Sequence, residues 1–148
     1  MNALEIVREA CGTIGIARPN SVIGSDDEGV VQLLGLLNEE GRKLSARYAW
    51  EGLIREVEHT TLAQEDQGAL TDIIGSTSAY RYIVNETMFN RDRKEPIVGP
   101  HSALDWQVLK TLDLSGPYTE YRIRGGHLLF TPSPAAGESV YFEYVTRN

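Results

Sequence analysis

Chemistry in a chain of 148 residues would start with paired carboxylates. Such pairs can serve as general acid and base, or flank a glycosidic bond. Three groupings qualify: Asp26-Asp27-Glu28, Glu39-Glu40, and Glu56 with Glu58. The first reads as helix capping, the second lies on the polar side of a helix, and the third shares the solvated face of an alternating strand. Metal ligation needs clustered His, Cys, Asp or Glu. The histidines His59, His101 and His127 are far apart, and no HxH, HxxxH or CxxC occurs. No serine sits in a Gly-x-Ser-x-Gly elbow, and no phosphate-cradling glycine loop is present. The sequence therefore predicts no enzyme, no cofactor and no metal.

The remaining resource is aromatic. Two Trp, seven Tyr and three Phe are more than one small sheet must bury. Aromatics anchor protein–protein contacts, so some of them are expected to meet partners. Tyr118, Tyr121, Arg122 and Arg124 interleave base and ring in a way that can stack nucleobases. The net charge of −7 opposes that use, because an acidic surface repels phosphate.

The elements that must hold these residues read as follows. Residues 3–16 form a helix that Asn2 and Glu5 cap as a box, with Ala3, Val7, Ala10 and Ile14 on one stripe and Leu4 and Cys11 beside it. Gly12, Gly15 and Pro19 end it. A second helix starts from a Ser25 to Glu28 capping box, its acids at the positive end of the dipole. Its seam runs through Val30, Leu34, Leu37, Gly41, Leu44 and Tyr48. Gly41 costs a helix interior roughly 1 kcal/mol against alanine. It therefore marks a place where another backbone comes close, in this subunit or in a neighbour.

Beyond Trp50 the period changes to two. Residues 55–62 alternate as a strand, and residues 63–79 form a loop with one short strand at Leu70–Ile74. Tyr80 to Phe89 is a strand, Asn90 to Glu95 a charged turn, and Pro96 to Val98 its return, giving a hairpin with an exposed tip. Ser102 and Asp105 cap a short helix to about Leu112. Residues 119–124 and 127–131 pair about Gly125-Gly126, whose glycines suit two positive φ angles. In that register Tyr121 faces Phe130 and Ile123 faces Leu128. After a turn over 132–137, Ser139 to Thr146 is the last strand. The fold class is α+β: an N-terminal helix pair, then a mostly antiparallel β region with one short helix. It forms a single domain, with a helical part over 1–50 and a β-rich part over 51–148.

Composition agrees with an ordinary globular chain, at 41% hydrophobic and 24% charged residues. The lone Cys11 allows no internal disulfide. No stretch approaches the ~20 apolar residues of a membrane span, and the N-terminus lacks a signal-peptide pattern.

One ordered set of motifs carries a resemblance. Asn90-Arg91, Pro96-Ile97-Val98-Gly99-Pro100, Asp105-Trp106, Gly116-Pro117-Tyr118, Tyr121-Arg122-Ile123-Arg124-Gly125, Leu129-Phe130-Thr131-Pro132, Ala136-Gly137 and Phe142-Glu143-Tyr144 follow one another. With the N-terminal helix pair, Tyr48-Ala49-Trp50 and Thr60-Thr61-Leu62-Ala63, this resembles the head–tail adaptor (head-completion) proteins of tailed bacteriophages, particularly short-tailed ones. The resemblance covers most of the chain.

The resemblance implies a structural role. Such adaptors form a homo-oligomeric ring, usually of twelve copies, beneath the portal protein. They extend the DNA channel and dock the tail or nozzle protein. Genomic DNA would pass through without specific binding. The protein would be made in the host bacterial cytoplasm and would reside in the virion neck, with no membrane involved. Subunit or partner contacts are expected at Leu34, Leu37, Gly41, Leu44, Tyr48, Arg91, Arg93, Lys94 and Arg147. Some relatives end in a long C-terminal helix or tail, whereas this chain reaches Arg147-Asn148 in a strand. Two other readings compete: a tail-associated glycan-binding or hydrolytic module with a concave aromatic site, and a DNA-binding neck protein.

Overall fold

The computed structural model describes residues 2–75, 80–112 and 116–146. It contains two compact units, Met1–Tyr48 and Ala49–Asn148.

The first unit is a helix pair. Helix α1 spans Ala3–Ile14, with the Asn2–Glu5 capping box formed as expected and Gly15 ending the helix at φ +76°. That left-handed turn is one that glycine adopts without a Cβ penalty. Helix α2 spans Glu28–Arg47. Its cap is Asp27, not Ser25: the Asp27 carboxylate accepts from the Gly29 and Val30 amides, while Ser25 Oγ accepts from the Asp27 amide. Asp27 is the residue next to the first helical turn, so its shorter reach decides the cap. Val7, Cys11, Val22 and Val30 close a small core, joined by Leu4, Leu33, Leu34 and Leu37. The inward line of α1 is thus Val7 and Cys11, both buried, with Leu4 partly buried beside them, and Ile14 is exposed. The Arg8 Nε–H donates to the Pro19 carbonyl and ties the following loop to α1.

The second unit is β-rich. After a 3₁₀ turn at Glu51–Leu53, strand β1 covers Ile54–Thr60, β2 Asp66–Ala69, β3 Tyr80–Ile83, β4 Phe89–Asn90 and β5 Glu95–Pro96. Then come β6 at Glu120–Arg124, β7 at His127–Thr131 and β8 at Ser139–Thr146. One sheet runs β1-β8-β4-β5 with β3 also on β8, and the other runs β2-β7-β6. All these strand pairs are antiparallel. The β6–β7 register is the expected one, with Tyr121 opposite Phe130 and Ile123 opposite Leu128. Gly125 and Gly126 both take positive φ.

Three expectations are corrected. The run Leu70–Ile74 is not a strand but a short helix, α3, and it follows strand β2. Leu70 and Ile74 are buried and Ile73 packs against the same core, while Asp72 is exposed. One helical turn brings 70, 73 and 74 to one face, whereas a strand would group 72 with 70 and 74. The β region therefore holds two short helices rather than one; the other is α4, Ala103–Leu112. Residues 80–89 are not one strand. β3 pairs the end of β8 and β4 its beginning, and the chain between them turns at Glu86, φ +64°. Thr87 stabilises the break, donating to the Val84 carbonyl and accepting from the Glu143 amide.

Both sheets and α3 contribute to one core. It contains Leu70, Ile74, Ile83, Met88, Ile97, Tyr121, Leu128, Phe130, Val140, Phe142 and Tyr144. The segment Val98–His101 lies along β6: the Val98 amide donates to the Thr119 carbonyl, the Val98 carbonyl accepts from the Tyr121 amide, and the His101 amide donates to the Tyr121 carbonyl. This places the start of α4 beside the sheet, where Trp106 is fully buried.

Candidate interaction surfaces

Most of the candidate carboxylates are engaged within the chain. Lys43 Nζ binds Glu39 and Glu40, both at 2.8 Å, and these acids hold its ammonium above the usual range. Asp27 is a cap, and Glu56 pairs with Arg91 at 2.8 Å. The Glu58 carboxylate beside Tyr141 raises that phenol's pKa. Among the described residues no three His, Cys, Asp or Glu side chains come together as a metal site.

The histidines have separate roles. His59 Nε2 lies 3.2 Å from Gln67 Oε1, and burial lowers its pKa. His127 Nδ1 is 3.0 Å from Asp66 Oδ2. The Gly68 amide, and then His127, hold Asp66 below the ordinary carboxylate range. His101 Nε2 is 2.7 Å from Glu120 Oε2, at a poor angle for a hydrogen bond.

The charged hairpin tip is built into the sheet. Asn90 is buried and accepts from the Asp92 and Arg93 amides, fixing the turn. Asp92 accepts from the Ser139 amide at 2.6 Å. Arg91 stacks on the Tyr141 ring, 3.4 Å from its centroid, while Arg93 binds Glu138 at 2.9 Å and Glu95 at 3.3 Å. Lys94 stands exposed at the tip with φ +59°. Arg91 and Arg93 therefore present a locked edge, with their charges already neutralised by acids of the same unit.

On α2, Leu34 and Leu37 are partly buried against α1, while Leu44 and Tyr48 are exposed. A Cβ at Gly41 would meet no atom of the described residues within 4 Å, so the close approach expected there is not made within the helix pair. Gly35 is equally open. Arg147 lies outside the described residues.

Two features escaped sequence reasoning. One is the polar clasp of Thr61, Asn90 and Glu138, residues that carry no local signal of their joint role. The other is the outward face of α4. There Leu104, Val108 and Leu112 are 73%, 44% and 58% exposed, at spacing i, i+4, i+8. Trp106 and Leu109 point the other way, buried and half-buried. The spacing was visible in the sequence, but only the fold decides which of two apolar stripes is covered. Val31 and Leu36, at 53% and 57% exposed, likewise flank the buried face of α2.

Comparison with protein-family models and with curated proteins finds no match to this chain. Among the described residues no helix is long and apolar enough to cross a membrane.

Proposed function

We propose that this protein is a structural head–tail adaptor of a tailed bacteriophage. It forms a ring beneath the portal protein, extends the DNA channel and docks the tail. The observation that carries this reading is the exposure of large aliphatic side chains on two helices that each already bury another part of their surface. Val31 and Leu36 on α2 stand outside the core that Val30 joins, and Leu104, Val108 and Leu112 on α4 face solvent while Trp106 is buried. Apolar surface of this kind marks protein contacts. The ordered motifs from Asn90 to Tyr144 supply the family. A chain of net charge −7 suits a channel through which DNA slides without sticking.

Negative-stain electron microscopy tests the reading, on the purified protein alone and mixed with the portal protein from the same source. Rings, or an added layer on the portal, are expected. Particles that stay monomeric and never join the portal would overturn it, and glycan binding would then be the next assay.

A further inference from the structure

The outward face of α4 is a ridge of three aliphatic side chains, about 12 Å long for eight residues of helix. Of the described residues of α4 itself, the charged one on the flank of the ridge is Asp105, whose Oδ2 accepts from Ser102 Oγ at 2.7 Å. That leaves Oδ1 available. On α2 a different kind of stripe is exposed. Val31, Gly35, Asn38 and Arg42 follow at i, i+4, i+7 and i+11, all solvent-facing. Gly35 leaves a gap there, since a Cβ at that position would meet no atom within 4 Å. Arg42 uses its Nε on the Asn38 carbonyl and engages no carboxylate among the described residues.

We propose that the α4 ridge of one copy seats in the α2 stripe of a second copy. This inference rests on the ring reading above and names the surfaces that join its subunits. An i, i+4 ridge packs into the groove between such rows on a facing helix. Val108 would enter the gap at Gly35, and Asp105 would meet the unpaired guanidinium of Arg42. Sign and shape select this occupant over the alternatives. Two α4 ridges facing each other would bring neither Asp105 a cation from α4, whose Lys110 lies on the opposite side and binds Glu65. A membrane surface would want Lys or Arg beside the ridge, and there the flank is acidic. Joining two different patches is also what a closed ring requires, since a like-on-like contact ends at a dimer.

Cysteine pairing tests it. Val108→Cys is placed in one chain and Gly35→Cys in another, with the buried Cys11 replaced by alanine in both. The two are mixed, alone and with the portal, and oxidised. An interchain disulfide is expected, at least tenfold above the yield when Glu40→Cys, on another side of α2, replaces Gly35→Cys. Rings that form without this cross-link overturn the inference and leave the ring reading standing. Absence of any assembly, alone or with the portal, overturns both. A chain carrying both cysteines that closes on itself as a dilute monomer shows the ridge covered by its own α2, and overturns the inference too. A second measurement, Val108→Asp, is expected to lower ring formation at least tenfold with unchanged circular dichroism. Unaltered assembly would count against the contact.

Discussion

Asn90 Nδ2 donates to Glu138 Oε2 at 2.8 Å, across 48 residues of sequence. Around this bond the turn before β8 is clasped to β1 and to the charged hairpin. The buried Thr61 completes it. Its Oγ1 donates to the Ala135 carbonyl at 2.6 Å and accepts from the Glu138 amide at 3.0 Å, while its own amide donates to the Glu138 carbonyl. Glu138 then holds Arg93 with its other carboxylate oxygen. The charged tip is therefore a rigid projection of the sheet.

Asn90→Ala removes two acceptor bonds and leaves the Asp92 and Arg93 amides and Glu138 short of a partner. The expected loss is about 1–3 kcal/mol of unfolding free energy, since unmet buried polar groups cost their desolvation. Asn90→Asp keeps the acceptor but faces Glu138 with a like charge, and should lose at least as much at neutral pH. Urea unfolding followed by fluorescence measures both, and an Asp variant as stable as the parent would contradict the account.

Tyr121 is wholly buried and its hydroxyl has no partner among the described residues. Tyr121→Phe is therefore expected to leave stability unchanged or to raise it by up to ~1–3 kcal/mol, the cost of an unsatisfied buried polar group. Burial also pushes the phenol up to about 12 from 10.0. The unfolded chain ionises first, so the stability tied to this group is full below pH 10 and is lost as pH rises towards 12. In the phenylalanine variant that contribution to the alkaline decline should vanish. A loss above about 1 kcal/mol on substitution would mean the hydroxyl is bonded.

Gly99 has φ +154°, and a Cβ there would lie 2.7 and 2.9 Å from Tyr121 Cδ1 and Cε1. Neither the ring, locked in the core, nor the β6 backbone can withdraw. Gly99→Ala should therefore cost about 3 kcal/mol or more, combining overpacking with backbone strain. Gly41→Ala meets open space. It should stabilise the free protein by up to ~1 kcal/mol through helix propensity. Thermal melts of the two variants should move in opposite directions.

The histidine held by Gln67 gives an acid-side signature. Burial of His59 lowers its pKa below the unfolded 6.5. Its contribution is complete above pH 6.5 and falls as pH drops through that value, because the unfolded state takes the proton first. Asp66, also lowered, keeps its contribution down to its unfolded 3.8 and loses it below. Between pH 7 and 5 the decline should therefore be flatter in His59→Gln. A proton NMR titration of His59 with a midpoint at or above 6.5 would contradict this.

What the residues determined by themselves was local. The Asn2–Glu5 box, the Ser102–Asp105 cap and the two-glycine turn at 125–126 each depend on groups within four residues of one another. Short-range hydrogen bonds and allowed φ angles settle such features before the chain closes. The register of β6 on β7 follows from that turn.

The tertiary structure decided the rest. Leu70–Ile74 is apolar enough for either a strand or a helix, and the core chose the helix by accepting Ile73 beside Leu70 and Ile74 while leaving Asp72 exposed. Residues 80–89 have strand composition throughout, yet β8 receives them in two pieces because the chain turns between them at Glu86. The clasp of Thr61, Asn90 and Glu138 joins groups up to 77 residues apart, a distance over which no local preference acts. The same holds for the candidate surfaces. Sequence periodicity shows that α2 and α4 carry apolar stripes. Which stripe is buried, and which is left facing solvent, depends on what packs against it, and that is settled only when the non-local contacts form.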